Sequence, residues 1–556
     1  MEWTRRSSRS MLRLEAHRMT GGMTMKRRHF LAATAAAASG LAAPALAQPT
    51  AARVLRFVPH ANLTVMDPIW TTAYVTRNHG FMVWDTLYGL DKQYRPQPQM
   101  AEGHTVENDG RTWVFTLREG LVFHDGEPVR SADVIASLKR WAARDAFGAK
   151  LASVVTEYVV RSDRVFEIRL SKPFPLMLDA LAKPTSNVPF IMPERVAATD
   201  PFTQLRPEQM IGSGPFRFKR DEFNPGSLVV YERNPAYRPR AGGEPSFTAG
   251  PKVVHFDRIE WRVIPDPATV AAALQAGEID WWEQPTGDYL RLLERNRNIT
   301  VEVQDQLGLV ATLRPNHLHA PMNNQKFRQA LIRAVRQSDY MQAVIGTDPR
   351  LHRKGVGAFT PGTPLATDTG IAEVFKEDIA LARQMIRDSG YSNERVVLLS
   401  TTDLPSLAAL SQVGGAMFRE LGVNLDQQAM DWGTVVQRRA SKEPLERGGW
   451  SVFFTFWAGL DHLNPASHHM LRGQGEAGFI GWPTSPRLEQ LRDAWFEAPT
   501  LEAQKAIAAE MQRQLFIDVP YIPLGQYFQP IAYRRTLTGA IAAGGVPVFW
   551  NVRRAA

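Results

Sequence analysis

The residues best equipped for chemistry lie in one run, Trp457-Ala458-Gly459-Leu460-Asp461-His462-Leu463-Asn464-Pro465, followed closely by His468 and His469. Imidazoles beside a carboxylate can hold a divalent transition metal. The spacing does not favour it here. There is no His-Glu-x-x-His pair, and Pro465 prevents a regular helix that would align the rings. A hydrogen-bonded loop is the preferred reading, with a metal site as the alternative. Gly473-x-Gly475-x-x-Gly478 matches the dinucleotide fingerprint in letters. That fingerprint must follow a strand and open a helix, and Pro483 soon after argues for a loop instead. Gly212-Ser213-Gly214 lacks the Gly-x-Ser-x-Gly spacing of a nucleophile elbow. The chain has no cysteine, which excludes disulfides, thiolate metal sites, a Cys nucleophile and a lipid-modified Cys anchor. No nucleophile–base pair or metal triad can be assembled, and no cofactor is implied. The residues suit binding better than catalysis.

The elements that must carry these residues are those of a large α/β protein. With 556 residues, 44% of them hydrophobic, the chain can form two to four domains. In Arg111–Trp141, Trp113, Phe115 and Leu117 alternate with polar neighbours, predicting a strand packed on one face. Ser131 is the expected N-cap of a helix whose apolar face is Val134, Ile135, Leu138 and Trp141. Val54 to Pro59 predicts an entering strand, and Thr64-Val65-Met66-Asp67-Pro68 a loop bearing Trp70, Thr71, Thr72 and Tyr74. Asp266-Pro267 should open a helix that Gly277 closes, which makes Asp280 structural. Strand Val396–Ser400 lies between two helical stripes, the second over Leu404–Leu421. The glycines of Ile211-Gly212-Ser213-Gly214-Pro215-Phe216 permit a tight crossing between domains.

Charge is placed unevenly. Residues 1–47 hold eight of the 65 Lys/Arg and two of the 56 Asp/Glu, and so +6 of the net +9. The body is nearly balanced, without a basic stripe interleaved with aromatics, so no nucleic-acid partner is expected. Lys26-Arg27-Arg28-His29-Phe30-Leu31 opens a targeting segment, with a weakly apolar run to Ala43 and a small-x-small cleavage site at Ala45-Leu46-Ala47. The arginine pair resembles a twin-arginine (Tat) export signal, with Sec as the alternative route. Translation is expected to start near Met25 rather than Met1, and the mature chain at Gln48. The mature protein is expected to be periplasmic, monomeric and without stable membrane insertion.

The order of residues in "DGRTWVFTLREGLVFHDGEPVRSADVIASLKRW" closely resembles the extracytoplasmic solute-binding proteins of family 5, the peptide-, oligopeptide- and nickel-type receptors of bacterial ABC importers. Further runs resemble the same family, including "WDTLYGLD", "GSGPF", "RNPAY", "DPATVAAALQAGEIDWWE" and "NNQKFRQALIRAVRQSDY". There are departures. Gln99-Met100-Ala101-Glu102-Gly103 lacks the usual Ala-Glu-Ser-Trp, and Arg336-Gln337 replaces Asp-Arg.

The resemblance implies a type II periplasmic binding protein fold, cluster C: α/β, two lobes with an extra inserted domain, and a ligand cleft between the lobes. Domain I would comprise residues 48–83, 212–305 and 520–556, the inserted domain II residues 84–211, and domain III residues 306–519, after a leader over 1–47. It implies a periplasmic substrate-binding component of an ABC importer that captures a peptide or related organic solute by hinge closure and hands it to the permease. In dipeptide-type relatives a Trp-x-Gly-Asp-x-x-Asp-Pro run lies in the cleft and its first Asp pairs with the ligand's α-ammonium; Asp461, with Leu460 inserted, corresponds. Those relatives also hold the ligand's carboxylate with an Arg after the strand equivalent to Val396–Ser400, where this chain has Thr401-Thr402-Asp403-Leu404. Expected ligand-binding residues are therefore Asp461, Trp457, Asp403, Thr72, Tyr74 and Asn316. Two carboxylates allow a cationic or amine-bearing solute; a longer peptide held by its backbone is equally open. A nickel-complex receptor of the same fold and a periplasmic hydrolase are the alternatives.

Overall fold

The computed structural model describes residues 53–539 and 545–555; the leader, its cleavage site and the expected mature start lie outside the described residues. Pro49–Ala556 forms a single contact unit. Two mixed sheets organise it. The first has seven strands in the order Phe216–Phe218, Leu228–Arg233, Arg258–Arg262, Val54–Val58, Trp281–Trp282, Ile531–Arg534, Ile299–Glu302. The second has six, in the order His352–Arg353, Ile522–Tyr527, Leu309–Pro315, Val452–Ala458, Val396–Thr401, Leu425–Met430. A separate antiparallel sheet of four strands, Ala101–Glu107, Thr112–Leu117, Val165–Leu170 and Val155–Val160, lies in the segment between the first strand of the first sheet and its return at Phe216.

The chain passes between the two large sheets twice, over 303–308 and 528–530. The second passage comes after Tyr527, because Ile522–Tyr527 pairs with Leu309–Pro315 in the second sheet. The boundary expected at 520 therefore falls before the last strand of the second sheet, not at the return to the first.

Local signals explain many of the elements. Thr112–Leu117 buries Trp113, Phe115 and Leu117, as the alternation predicts. The helix Ser131–Ala142 buries Val134, Ile135, Leu138 and Trp141. Its N-cap position is Arg130, one residue before the expected Ser131, and Asp133 closes the turn by accepting from the Arg130 N–H at 2.7 Å. The helix Pro267–Ala276 is capped by Asp266, whose carboxylate accepts from Thr269 N–H at 2.8 Å, and ends at Gly277 with φ 81°. Asp280 accepts from the Arg56 N–H at 2.9 Å and from Arg554 at 3.0 Å, fastening the centre of the first sheet. At the return from the inserted segment, a Cβ on Gly212 or Gly214 would collide with the Val83 carbonyl. Gly214 N–H donates to that carbonyl at 2.9 Å, so the crossing needs residues without side chains there.

The loop that follows the first strand is anchored from across the molecule. Asp67 accepts from the Arg140 guanidinium at 2.7 and 3.1 Å and from the N–H groups of Ile69, Trp70 and Leu205. This fixes Trp70–Ala73 against the inserted domain. Tyr74 does not belong to the loop, as expected from sequence, but is the first residue of the helix Tyr74–Val83. Among the described residues no helix is long and apolar enough to cross a membrane.

Candidate functional site

Strand Val452–Ala458 runs through the middle of the second sheet and is buried along its whole length. A single turn, Gly459–His462, follows it and carries Asp461. The Asp461 carboxylate has no exposure. It accepts from the Tyr74 hydroxyl at 2.5 Å and from the Ser186 hydroxyl at 3.0 Å. Tyr74 comes from the first-sheet side, Ser186 from the inserted domain and Asp461 from the second-sheet side. All three parts of the molecule thus meet at one carboxylate. The Tyr74 oxygen also accepts from Ala458 N–H. Burial, followed by the Asp461 charge, raises the Tyr74 pKa well above the usual phenol value, so it remains a donor.

A second polar junction lies beside it. Asp145, in the inserted domain, pairs with Lys183 at 2.7 Å and stands 3.3 Å from His469 Nε2 of the second-sheet domain. Burial would raise the Asp145 carboxyl, but Lys183 and His469 together hold it down at about 2. Trp457 stacks on His469 with centroids 5.6 Å apart. His462 and His468 stack face to face at 3.8 Å, so their nitrogens do not converge on a point. Burial lowers the His462 pKa to about 3 and leaves it neutral. Among the described residues no group of three or more His, Cys, Asp or Glu side chains is arranged to hold a metal ion.

Next to these junctions a cavity of about 620 Å³ opens among the inserted domain, the second-sheet domain and the Trp70–Thr72 loop. That lies within the range of cavities that take small organic ligands. Trp70, Arg144 and Phe202 line one wall; Arg439, Phe479 and Trp482 line the other. Thr72 and Arg439 also line a small adjoining recess with Tyr74, Trp432 and Trp457.

The residues expected from sequence are thus partly gathered. Thr72, Tyr74, Trp457 and Asp461 form one neighbourhood. Asp403 lies beside it, solvent-exposed and accepting from the N–H of Trp432 at 2.7 Å, and lines a different cavity of about 170 Å³ with His60, Trp282 and Gln284. Partial desolvation raises the Asp403 carboxyl pKa. Asn316 has no exposure; its amide donates to Trp450 O at 2.9 Å and accepts from Leu318 N–H at 3.1 Å, as a core residue does. It lines neither of the cavities near Asp461. Sequence reading missed Ser186, Lys183, Arg144 and Arg439. Ser186 sits in Lys183-Pro184-Thr185-Ser186-Asn187, which has the composition of a plain loop. Arg439 reads as an ordinary basic residue at a helix C-terminus. The Gly473-x-Gly475-x-x-Gly478 run forms only a one-turn 3₁₀ segment, Gly475–Ala477, whose Gly478 faces the large cavity.

The chain is similar to known proteins along most of its length. The family "Bacterial extracellular solute-binding proteins, family 5 Middle" matches residues 95–478. A Sinorhizobium fredii protein named "Probable peptide ABC transporter periplasmic-binding protein" is 38% identical over 96% of this chain and 100% of its own length. A glutathione-binding protein of Salmonella typhimurium is 25% identical over 92% of this chain and 95% of its own. Among solved structures, a periplasmic binding protein of A. tumefaciens R10 in complex with agropinic acid superposes with a TM-score of 0.75 at 18% identity, covering 90% of this chain and 99% of that one. A Helicobacter pylori periplasmic binding protein in complex with the peptide STSA gives 0.73 at 19% identity, covering 90% and 98%.

Proposed function

The chain belongs to the bacterial extracellular solute-binding proteins of family 5, and we propose that it is the periplasmic receptor of an ABC importer for a peptide or a related small organic solute. The observation that carries this is the cavity of about 620 Å³ whose walls come from the inserted domain, the second-sheet domain and the Trp70–Thr72 loop of the first-sheet domain. Aromatic faces and a few charged groups line it, as they do in sites that select an organic ligand. The described structure has the inserted and second-sheet domains in contact around that cavity. Phe174 of the inserted domain stacks on Phe496 with centroids 6.1 Å apart, and Lys150 meets Asp493 at 2.6 Å.

In this reading the two passages at 303–308 and 528–530 act as the hinge, and ligand capture is closure about them. Domain I then comprises the first sheet, domain II the inserted segment and domain III the second sheet up to Tyr527. The ligand leaves unchanged, for a membrane permease. Export by the twin-arginine route and monomeric assembly complete the proposal.

The test is a titration of tryptophan fluorescence with short peptides, coupled to mass spectrometry of the recovered ligand. A saturable change with the ligand recovered intact supports the receptor reading. Cleavage of the ligand would replace it with the hydrolase alternative.

A further inference from the structure

Four cationic side chains line the cavity of about 620 Å³: Arg144, Arg439, Lys442 and Arg472. Two of them have carboxylate partners. Lys442 stands 3.2 Å from Glu476, and Arg472 stands 3.3 Å from Glu489. The cavity's buried carboxylate, Asp145, is held by Lys183 at 2.7 Å. Arg144 and Arg439 have no carboxylate partner among the described residues. Arg144 donates to the Trp70 carbonyl at 2.7 Å and lies 4.8 Å from the centre of the Phe202 ring.

Arg439 is the more demanding of the two. It is only 3% exposed. Its guanidinium lies over the Trp432 ring at 5.1 Å and the Phe453 ring at 5.6 Å, cation–π contacts that neutralise no charge. Nη2 reaches Thr72 Oγ1 at 3.3 Å, while Nε is buried with no acceptor among the described residues. Burial alone pulls its pKa down to about 10, so it stays charged at neutral pH. A buried charge is ordinarily paired, and a guanidinium presents a planar fork that matches a carboxylate. Of the two acids that suggested a cationic solute, Asp461 is already engaged with Tyr74 and Ser186, and Asp403 lines a different cavity from Arg439.

We propose that Arg439 is the anion anchor of the ligand site, and that the solute carries a carboxylate which Arg439 receives, with Arg144 as a second cation lining the same cavity. This rests on the solute-binding reading and names the group that the site recognises, a free carboxylate, which unmodified peptides carry and C-terminal amides lack. It also places that recognition on the helix Trp432–Arg438, whose C-terminal end Arg439 caps, rather than after the strand Val396–Thr401.

The experiment is thermal-shift and calorimetric titration with a panel of paired probes. The pairs are di-, tri- and tetra-alanine as free acids and as C-terminal amides, with glutathione, succinate and glutarate as non-standard carboxylates. At least one free carboxylate should bind, and its amide should bind about ten-fold or more weakly, since a charged hydrogen bond is lost. Arg439→Gln should lose the same preference and Arg439→Lys should recover part of it, with Arg350→Gln on the outer surface as an unaffected control. The acid–amide comparison needs no variant, so poor folding of Arg439→Gln would not remove the test. Binding of carboxylates other than peptides, dependent on Arg439, would uphold the anchor and overturn the peptide reading. Peptide amides binding as well as acids, or Arg439→Gln retaining full affinity, would overturn the anchor and leave the receptor reading standing. A panel in which no carboxylate binds at millimolar concentration would also overturn the anchor.

Discussion

The Tyr74 hydroxyl donates to the Asp461 carboxylate at 2.5 Å, across 387 positions of sequence and between two domains. Ser186 supplies a second hydroxyl, from a third domain, at 3.0 Å. With no exposure at Asp461, these donors do the work that water would do for a surface carboxylate. Tyr74→Phe should lower stability by about 1–3 kcal/mol, the usual cost of leaving a buried charged acceptor short of a donor. Ser186→Ala should cost less, because its bond is longer. Urea unfolding of the single and double variants with Asp461→Asn gives the coupling. Additive effects of Tyr74→Phe and Asp461→Asn would show that the pair does not interact.

The Asp67–Arg140 pair makes a sharper case. Arg140 meets Asp67 with two nitrogens, at 3.1 and 2.7 Å, and both side chains are buried. Three backbone N–H groups share the carboxylate. Removing one partner strands the other charge, so Asp67→Ala should destabilise by about 3–5 kcal/mol. The loop Trp70–Ala73 should loosen with it, and ligand affinity should fall together with stability in the same titration. A loss below about 1 kcal/mol, the worth of an exposed pair, would mean that the pair is solvated.

Those two relationships mark what could and could not be read from the chain. Local features were legible: Asp266 and Gly277 bound their helix because a cap and a left-handed turn are written in adjacent residues. The family runs also foretold the fold. The site was legible only in part. Trp457 and Asp461 stood out because both lie in one motif. Tyr74 was placed in a loop because Ala73, its helix's N-cap, offers no side-chain hydrogen bond and hence no sequence signal. Ser186, Arg144 and Arg439 gain meaning only from hydrogen-bond partners 74 to 367 positions away, or from the lack of a carboxylate partner. Asn316 and Asp403 were plausible by residue type. Their hydrogen bonds to Trp450 O and from Trp432 N–H are tertiary facts that no spacing encodes.

Contact between the inserted and second-sheet domains should depend on aromatic packing more than on surface charge. Phe496 meets Phe174 at 6.1 Å and Phe147 at 6.5 Å between centroids. The Lys172–Glu497 pair beside it is exposed at both ends. Phe496→Ala should therefore cost about 2 kcal/mol, from lost apolar burial and ring contacts. Lys172→Ala should leave the unfolding midpoint unchanged. The reverse ranking in chemical denaturation would place the closure energy in the ion pairs.

Asp305 lies in the first of the two passages between the sheets, accepting from Leu307 N–H at 2.9 Å. Burial raises its carboxyl from the usual range to about 6, more than its backbone hydrogen bonds and Arg77 can offset. A folded pKa above the unfolded one favours the folded state most below about pH 4, where both forms are protonated. That advantage disappears as pH rises through about 6, and the buried carboxylate then carries a cost. Two pKa units correspond to at most about 3 kcal/mol. Asp305→Asn keeps the acceptor for Leu307 and removes the charge. It should therefore be more stable than the parent at pH 8, by about 1–3 kcal/mol, with the gap closing toward pH 4. Thermal unfolding of both proteins across that range is the measurement. If the gap stayed constant with pH, the Asp305 carboxyl would not be titrating at a raised pKa. If it widened toward pH 4, the sign of the shift would be wrong. A closing gap, together with ligand affinity that changes over the same interval in the parent and not in Asp305→Asn, would tie the ionisation of this one residue between the sheets to the proposed closure.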